Sequence, residues 1–291
     1  METIKSILQK TTLNRIDARI LLHFVCQKHL AWDKTQLITK DLEILPLPVV
    51  EDWHTLESAR LSGYPVAYLI QKKAFHGIEL FVNEHVLIPR PETELLVDTV
   101  IHHIENALLK NDYSSSKPFR ILDMGTGSGA ILLAIASHFQ SKGMMDSFTM
   151  IGSDISEDAL AVANQNAKSF NLNSVQFIQS DWFSNLRPHH FDCIVSNPPY
   201  IAQEDPHLHQ GDLRFEPSMA LTDHADWLHA YQTILKDISE FIQPNARVFF
   251  EHGFDQGPAI RYLFAEKGFK DIQTMLDLGG NERITLGHAP N

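Results

Sequence analysis

Residues 120–139 read RILDMGTGSGAILLAIASHF, and this stretch decides the fold class of the chain. RILDMG is a short apolar run typical of a buried strand, whereas GAILLAIASHF is long enough to form a helix. Gly125, Gly127 and Gly129 stand between the two, and glycine allows the tight turn that joins a strand to a helix. The stretch therefore predicts the first strand–loop–helix unit of an α/β sheet.

The alternation of strand and helix continues toward the C-terminus, which predicts a doubly wound, mostly parallel sheet. Only the short turn Gly-Gly-Asn separates the last two predicted strands, so they must pair as an antiparallel hairpin. The predicted strands after the first lie at 148–155, 175–181, 191–197, 246–253, 270–278 and 282–288. The predicted helices after the first lie at 157–170, 225–242 and 257–268.

Toward the N-terminus the chain is helical. NRIDARILLHFVCQKHL (14–30) and VVEDWHTLESARLSG (49–63) have helical periodicity, and ILPLPVV (44–50) between them is interpreted as a connector because of its two prolines. In the first helix the apolar positions are Ile16, Ile20, Leu21, Phe24 and Val25. A hairpin between Phe75 and Phe81 and an amphipathic helix at 92–111 follow. We predict a small helical domain (1–70), a β-hairpin linker (71–90) and an α/β domain (91–291).

Composition excludes several classes of protein. The net charge of −12 would repel a phosphate backbone, so we expect no nucleic-acid partner. The two cysteines, Cys26 and Cys193, lie in apolar runs and indicate a reducing compartment. No stretch resembles a signal peptide or a membrane span, so a soluble, cytoplasmic protein without a membrane partner is expected. The 16 histidines lack metal-binding spacings, so we expect no metal.

Polar residues follow each predicted parallel strand, where ligands of such sheets bind. Asp123 and the glycine loop follow the first strand, and the loop leads into the free N–H groups of a helix. Asp154 follows the second strand and can accept hydrogen bonds from both hydroxyls of a ribose, in a nicotinamide cofactor or in S-adenosylmethionine. Asp181 follows the third and can accept the amine of adenine, with Trp182 or Phe183 against the ring.

The fourth strand ends in Asn197-Pro198-Pro199-Tyr200, a stiff elbow. Asn197 and the carbonyl of Pro198 would converge on one spot and hold the two hydrogens of a planar –NH₂ group, on which Tyr200 would stack. The nitrogen would thereby be aligned with a reactive group of the neighbouring ligand. We find no general base in the elbow, and we expect a proton of the –NH₂ group to leave only after the reactive group has been transferred to its nitrogen.

These residues resemble a known family. DMGTGSG with Asp154 and Asp181 suggests a class I, Rossmann-like, S-adenosylmethionine-dependent methyltransferase fold, and NPPY resembles the motif of enzymes that methylate a planar nitrogen on adenine or glutamine. The stretch from residue 63 to 97, FEPSMALT (215–222) and LDLGGNERIT (276–285) resemble the release-factor glutamine N5-methyltransferases, the HemK/PrmC family. PRPETE (89–94) is more similar to that branch than to the ribosomal-protein glutamine methyltransferases.

The resemblance implies that the enzyme methylates the N5 amide nitrogen of the glutamine in the Gly-Gly-Gln loop of peptide chain release factors, with residues 1–70 recognising the substrate and 91–291 acting as the methyltransferase domain. We expect a monomer. The catalytic residues would be Asn197, Pro198 and Tyr200, which together with Pro199 would also bind the substrate. The cofactor-binding residues would be Asp123, Gly125, Thr126, Gly127, Gly129, Asp154, Ile155, Asp181, Trp182 and Asn197.

Other readings stay open at this point: a DNA adenine-N6 methyltransferase, a ribosomal-protein glutamine methyltransferase, a nicotinamide-dependent dehydrogenase or a binding module without activity. Arg90 precedes a helix start and would seat cofactor or peptide, whereas Glu92 and Glu94 would complement the helix dipole. One residue departs from the family pattern, because Gln71 stands where the family has glycine, which puts the local turn geometry in question.

Overall fold

The computed structural model describes residues 2–110, 113–222 and 226–290. Four residues at the ends of predicted domains or helices, Met1, Asn111, Ala225 and Asn291, lie outside the described residues. The chain forms two compact units, which are described separately. The helical unit comprises Met1–Lys72 with Gln210–Phe215, and the α/β unit comprises Lys73–His209 with Glu216–Asn291. The short segment 210–215 is a part of the helical unit that the sequence did not predict.

In the described part of the helical unit, the α-helices are α1 (Ile4–Lys10), α2 (Arg15–Leu30), α3 (Lys34–Thr39), α4 (Leu47–Leu61) and α5 (Val66–Ile70). Helices α1, α2 and α3 begin at the N-cap residues Thr3, Asn14 and Asp33. The side chain of each cap accepts a hydrogen bond from backbone N–H groups of the first turn. A separate apolar core holds the unit together, with Trp53 as its largest fully buried side chain. The segment 210–215 is tied to the unit by an ion pair from Arg60 to Asp212 (2.9 Å).

Helical periodicity did not show which face of α2 is buried, and the expectation of a connector at 44–50 was wrong in detail. Ile16 is 73% exposed, because α2 buries the face formed by Ala18, Leu21, Leu22, Val25 and Cys26 instead. The predicted connector 44–50 contains the start of α4, which has Pro46 as N-cap and Pro48 in its first turn. Proline is tolerated there because the N–H groups of a first turn have no helical partner.

Gln71 ends α5 in the left-handed region, with φ 54° and ψ 33°. A side chain with a Cβ atom is strained in that conformation, whereas glycine adopts it freely. We therefore expect Gln71→Gly to raise the free energy of unfolding by about 1 kcal/mol, measured by urea denaturation. Gln36→Gly, inside α3, serves as a control and should lower stability, since glycine is unfavourable within a helix. A destabilised Gln71→Gly protein would contradict the strain at this position.

The α/β unit contains a two-stranded hairpin and a seven-stranded sheet. The hairpin is β1 (Lys72–Phe75) and β2 (Ile78–Phe81). The sheet strands are β3 (Phe119–Met124), β4 (Phe148–Asp154), β5 (Gln176–Gln179), β6 (Phe191–Ser196), β7 (Ile242–Glu251), β8 (Lys270–Leu276) and β9 (Glu282–His288). The helices are α6 (Thr93–Lys110), α7 (Ala130–Ser141), α8 (Glu157–Ser169), α9 (Ser218–Leu221), α10 (His229–Asp237) and α11 (Gly257–Glu266).

The order of the sheet is β5-β4-β3-β6-β7-β9-β8. The strands from β5 to β7 are parallel, and β9 is antiparallel to both of its neighbours. This order confirms the predicted α/β fold with its terminal antiparallel hairpin. The chain moves outward in one direction through β4 and β5 and then returns to the other side of β3 with β6. A crevice forms at such a reversal, beyond the carboxyl ends of β3 and β6.

The predicted helix at 225–242 is shorter than expected. Helix α10 ends at Asp237, a short 3₁₀ turn follows, and Ile242 already begins β7. Ile242 lies opposite Phe191 and the register shifts before Cys193 pairs with Arg247, so strand pairing extends into a segment with helical periodicity. Within the described residues, no helix combines the length and apolar character that crossing a membrane requires.

Glu94 has a role that the sequence did not predict. The hairpin turn has two residues with positive φ, His76 and Gly77, as a tight two-residue turn requires. The Glu94 carboxylate accepts a hydrogen bond from the backbone N–H of His76 (2.8 Å). Asn166 holds the other end of the hairpin, since its side chain both donates to and accepts from the backbone of Phe81. Glu94 therefore attaches the hairpin to α6.

Candidate active site

A cavity of about 510 Å³ lies at the carboxyl ends of the parallel strands. Its walls combine backbone of the glycine loop, carboxylates that follow β4 and β5, and part of the elbow that follows β6. Among the predicted site residues, those that line it are Gly125, Gly127, Asp154, Ile155, Asp181, Trp182, Asn197 and Pro199. The remaining walls were not predicted and come from His85, Val86, Leu87, Ser153, Ser156, Ala159, Ser180, Pro217, Ser218, Met219, Ala220, Thr222 and His229.

The glycine loop leaves space for a ligand at two positions. Gly125 and Gly127 have φ of 69° and 54°, and a Cβ atom built on either would meet no atom within 4 Å. Both line the cavity, so a side chain there would occupy ligand volume. Gly129 has a different role, because a Cβ atom there would lie 2.8 Å from the side chain of Leu133. It leaves room for the first turn of α7, which it precedes, and it does not line the cavity.

Asp154 connects the glycine loop to the start of α8. Its carboxylate accepts hydrogen bonds from the backbone N–H groups of Gly127 (2.9 Å) and Ser156 (3.0 Å). Ser156 caps α8 through Ala159, so Asp154 is not needed as the helix cap. Each carboxylate oxygen has more than one acceptor site, and Asp154 can therefore also accept from a ligand in the cavity. Burial raises the pKa of Asp154.

Asp123 and Thr126 support the loop from below. Both are buried, and the Thr126 hydroxyl donates to the Asp123 carboxylate (2.6 Å). Burial, together with the negative charge of Asp154, raises the pKa of Asp123 to about 7. The N–H of Thr126 also donates to the carbonyl of Ser153. These contacts fix the loop against β4, and neither Asp123 nor Thr126 lies in the cavity wall.

The residues after β5 divide between cavity and core. Asp181 is exposed and lines the cavity together with half-buried Trp182. Phe183 instead stacks on Phe241 in the core, with ring centroids 4.4 Å apart. Of the two aromatic residues considered for the ligand ring, only Trp182 therefore faces the cavity.

The elbow after β6 is held from several sides. The carbonyl of Tyr200 accepts a hydrogen bond from the side chain of Gln256 (2.9 Å), and the N–H of Ile201 donates to the carbonyl of Leu221 (3.0 Å). Asn197 and Pro199 line the cavity, whereas Pro198 is buried and Tyr200 packs half-buried against the core. Burial raises the pKa of Tyr200 to about 12, with Glu251 adding to the effect, so its phenol is neutral at physiological pH.

Comparison with known proteins decides the family. Residues 2–70 match the PrmC N-terminal domain, and residues 115–257 match a methyltransferase domain. A release factor glutamine methyltransferase of Burkholderia pseudomallei is 39% identical over 99% of this chain and 96% of its own length. The chain belongs to the release factor glutamine methyltransferase family. A second member, from Neisseria gonorrhoeae, is 40% identical over 94% of this chain and 93% of its own.

Membership in the release factor glutamine methyltransferase family confirms the predicted activity, methyl transfer, and its donor, S-adenosylmethionine. Among solved structures, a release-factor-specific protein-(glutamine-N5) methyltransferase from Alicyclobacillus acidocaldarius covers 70% of this chain and 95% of its own, with 24% identity and a TM-score of 0.40. The cavity fits this donor. Gly125 and Gly127 leave open backbone, Asp154 could provide acceptors for a ribose, and Trp182 could provide a flat apolar surface for the adenine.

Arg90 of this family member makes a structural contact. Its guanidinium forms an ion pair with the buried carboxylate of Glu216, which also accepts a hydrogen bond from the N–H of Ile88 (3.0 Å). Arg90 belongs to PRPETE and Glu216 to FEPSMALT, so the pair joins two of the stretches on which the resemblance was based. It fixes the segment that enters α6 to the segment that follows the elbow, and it neutralises a carboxylate that burial would otherwise destabilise.

Two residues behind the elbow were missed. The side chain of Asn197 donates to the hydroxyl of Thr93 (3.3 Å), and that hydroxyl donates to the carboxylate of Glu251 (3.1 Å). Thr93 is the first residue of α6, and Glu251 is the last residue of β7. One signal was available in the sequence, because Glu251 is an ionisable residue at the end of the apolar run Val248–Phe250. Nothing in the sequence connects it with Asn197.

Proposed function

We propose that this chain transfers the methyl group of S-adenosylmethionine to the N5 amide nitrogen of the glutamine in the Gly-Gly-Gln loop of peptide chain release factors. Full-length similarity to release factor glutamine methyltransferases supports the substrate. The observation that carries the proposal is the position of Asn197. Its side chain lines the same cavity as Asp154 and Asp181, so an amide acceptor stands beside the place of the cofactor.

The elbow would act on the substrate amide by orientation. A primary amide is planar, and its nitrogen is a weak nucleophile because its lone pair is delocalised into the carbonyl. Asn197 Oδ1 and the carbonyl of Pro198 would each accept one hydrogen of that nitrogen, while Tyr200 holds the amide plane. When bound, S-adenosylmethionine supplies an electrophilic methyl group. Holding the nitrogen in line with it, about 3 Å away, can lower the barrier by as much as about 7–11 kcal/mol.

The same two acceptors would also stabilise the transition state. Positive charge develops on the amide nitrogen as it bonds to the methyl carbon, and both oxygens carry partial negative charge directed at it. Tyr200 contributes no competing charge because its phenol is neutral. The methylated nitrogen then releases one proton to solvent, so the elbow needs no general base.

For the helical unit we propose recognition of the release factor outside its Gly-Gly-Gln loop. This unit exposes four large apolar side chains close together in sequence, Ile38, Leu42, Ile44 and Leu47. Exposed apolar residues of this kind are typical of surfaces that bind proteins. The net charge of −12 supports a protein substrate over DNA, and we propose that the enzyme acts as a cytoplasmic monomer.

The test is mass spectrometry of release factors incubated with the enzyme and S-adenosylmethionine. We expect one added methyl group, located on the glutamine of the Gly-Gly-Gln peptide. A release factor with that glutamine replaced by alanine is the matched substrate control and should gain no methyl group. Parallel incubations with ribosomal proteins and with DNA distinguish the two alternative methyltransferases. Methylation only in one of those two reactions would refute the proposal.

A further inference from the structure

Glu251 is a buried carboxyl group that the proposed chemistry leaves unexplained. It is 1% exposed and ends β7, the parallel neighbour of β6, so it lies beside the point where the elbow begins. Its backbone carbonyl accepts a hydrogen bond from the buried hydroxyl of Tyr231 (2.8 Å), which fixes the strand end. Burying a carboxyl group is unfavourable unless hydrogen bonds or charged partners compensate for the lost water. The contacts of Glu251 lead directly to Asn197.

While Glu251 is ionised, these contacts form a chain of hydrogen bonds with one possible direction. An ionised carboxylate can only accept, so the single hydroxyl proton of Thr93 points to Glu251 Oε1 (3.1 Å). The hydroxyl oxygen of Thr93 is then free only to accept, and it accepts from Asn197 Nδ2 (3.3 Å). The –NH₂ group of Asn197 therefore faces α6, and its Oδ1 atom is left for the cavity. Among the described residues, no donor reaches that oxygen.

The opposite orientation of the Asn197 amide conflicts with the same contacts. If the amide were turned over, Oδ1 would face the oxygen of Thr93, and the one hydroxyl proton would have to serve either Asn197 or Glu251. The group left without that proton would be a buried acceptor with no donor. A second carboxylate oxygen, Glu251 Oε2, already has no hydrogen-bond partner among the described residues. A second unpaired acceptor beside it would therefore add a further energetic cost.

The groups around Glu251 shift its pKa in both directions. Burial is the largest influence and raises the pKa of Glu251 to about 7, and the negative charge of Glu92 raises it as well. The hydroxyl of Thr93, the guanidinium of Arg283 and the amide of Asn197 lower the same pKa and so favour the ionised form. An ionised Glu251 in this position therefore polarises the hydrogen bonds from Thr93 and from Asn197, and so increases the negative partial charge on the Asn197 oxygen that faces the substrate nitrogen.

We infer that Glu251, acting through Thr93, is a positioning residue that turns the Asn197 amide so that its oxygen faces the nitrogen to be methylated. The inference rests on the proposed function, because it assigns Asn197 Oδ1 to the substrate amide. Glu251 makes no contact with the reacting atoms in this arrangement. Its effect on the reaction is indirect and should disappear when Asn197 is absent.

The first experiment replaces each supporting residue in the full-length enzyme and measures methyl transfer to release factor. Glu251→Gln can donate to Thr93 and so free the hydroxyl proton for Asn197 Oδ1, while Thr93→Val removes the hydroxyl. Each change should lower kcat about tenfold, the scale of one hydrogen bond to a charged group, with KM for both substrates changed less than about twofold. Thr93→Ser restores the hydroxyl and should restore kcat to within about twofold of the wild type.

Matched controls separate positioning from general destabilisation. Asp192→Asn removes a carboxylate at the opposite end of β6, where it accepts from the N–H of Arg120, and Thr99→Val removes a hydroxyl on α6 that donates to the carbonyl of Leu95. Both should leave kcat unchanged. Thermal unfolding and cofactor titration of every variant show whether it is folded. If Glu251→Gln fails to fold, Thr93→Val with its serine rescue decides the question.

The decisive measurement is a double-mutant cycle with Asn197→Ala. If Glu251 acts through Asn197, adding Glu251→Gln to Asn197→Ala should lower kcat no further. A further tenfold loss in the double variant, or full kcat in Glu251→Gln, would overturn the inference while leaving the proposed function intact. A wild-type enzyme that methylates no release factor would instead overturn the proposed function, and the inference with it.

Discussion

Replacing Asn197 with alanine is expected to lower kcat for release factor methylation by about a hundredfold or more, the scale seen when one preorganised charge-stabilising contact is removed. The side chain lines the cavity and supplies an acceptor that the methyl side chain of alanine lacks. Without that acceptor, the substrate amide is no longer aligned, and the positive charge that develops on its nitrogen loses a dipole that stabilises it. Single-turnover assays with saturating cofactor measure this step without a contribution from product release.

The same variant should bind S-adenosylmethionine with an affinity within about twofold of the wild type, because Asp154 and the glycine loop are untouched. Asn164→Ala is a suitable control, since Asn164 is exposed on α8, bonds to the carbonyl of Leu160 and does not line the cavity. That variant should show wild-type turnover. Undiminished turnover of Asn197→Ala would remove Asn197 from the catalytic assignment, and a parallel loss of cofactor affinity would reassign it to the cofactor.

The second large effect is expected at Asp154. Asp154→Ala should weaken cofactor binding about tenfold to a hundredfold, since a hydrogen bond to a charged group contributes about 1.5–3 kcal/mol. The change removes the acceptors that we propose for the ribose hydroxyls. It also leaves the N–H groups of Gly127 and Ser156 without their partner, so the loop that forms the cavity wall loses support. Isothermal titration calorimetry of the purified enzyme gives the dissociation constant directly.

The control for Asp154 is Glu157→Ala. Glu157 is an exposed residue in the first turn of α8, and its removal changes the net charge by the same amount without touching the cavity. Cofactor affinity should therefore be unchanged in this variant. Equal affinities for Asp154→Ala and the wild type would show that the ribose is held elsewhere.

The sequence identified the α/β part of the fold because its signals are local. RILDMG is mostly apolar, and β3 buries nearly every side chain, so a strand covered on both faces could be predicted directly. The short turn before β9 excluded a crossover helix and thereby determined its antiparallel direction. The sequence predicted the element less well where helical periodicity and strand pairing competed for the same segment. The segment before Ile242 has helical periodicity, and pairing with β6 decided in favour of a strand.

In the helical unit, local periodicity determined that α2 forms but not which of its faces is buried. Ile16 and Leu21 are both apolar and both lie at helical spacing, yet only Leu21 is buried. The choice depends on where α4 packs, and that is a tertiary contact. Gln71 is similar, because the sequence showed an unusual residue, and only the backbone showed that it is held in the left-handed region.

The candidate site divides in the same way. The residues that follow the parallel strands could be proposed in advance, since the carboxyl ends of such strands meet at one edge of the sheet. Asp154, Asp181 and Asn197 were proposed on that basis, and the structure brings them to one cavity. Asp123 was proposed by the same rule, but its side chain turns inward to Thr126 and supports the loop from below. Strand ends predict a neighbourhood, and side-chain direction is decided by packing.

The sequence by itself determined the family, the order of strands and helices, and the elbow that follows β6, because each is written in adjacent residues. Only the tertiary structure brought Thr93 and Glu251 behind Asn197, from positions 104 residues before it and at the end of another strand. Their connection is a matter of hydrogen-bond direction in a buried space. A carboxylate can only accept and a hydroxyl has one proton, so the fold determines which end of the Asn197 amide faces the cavity.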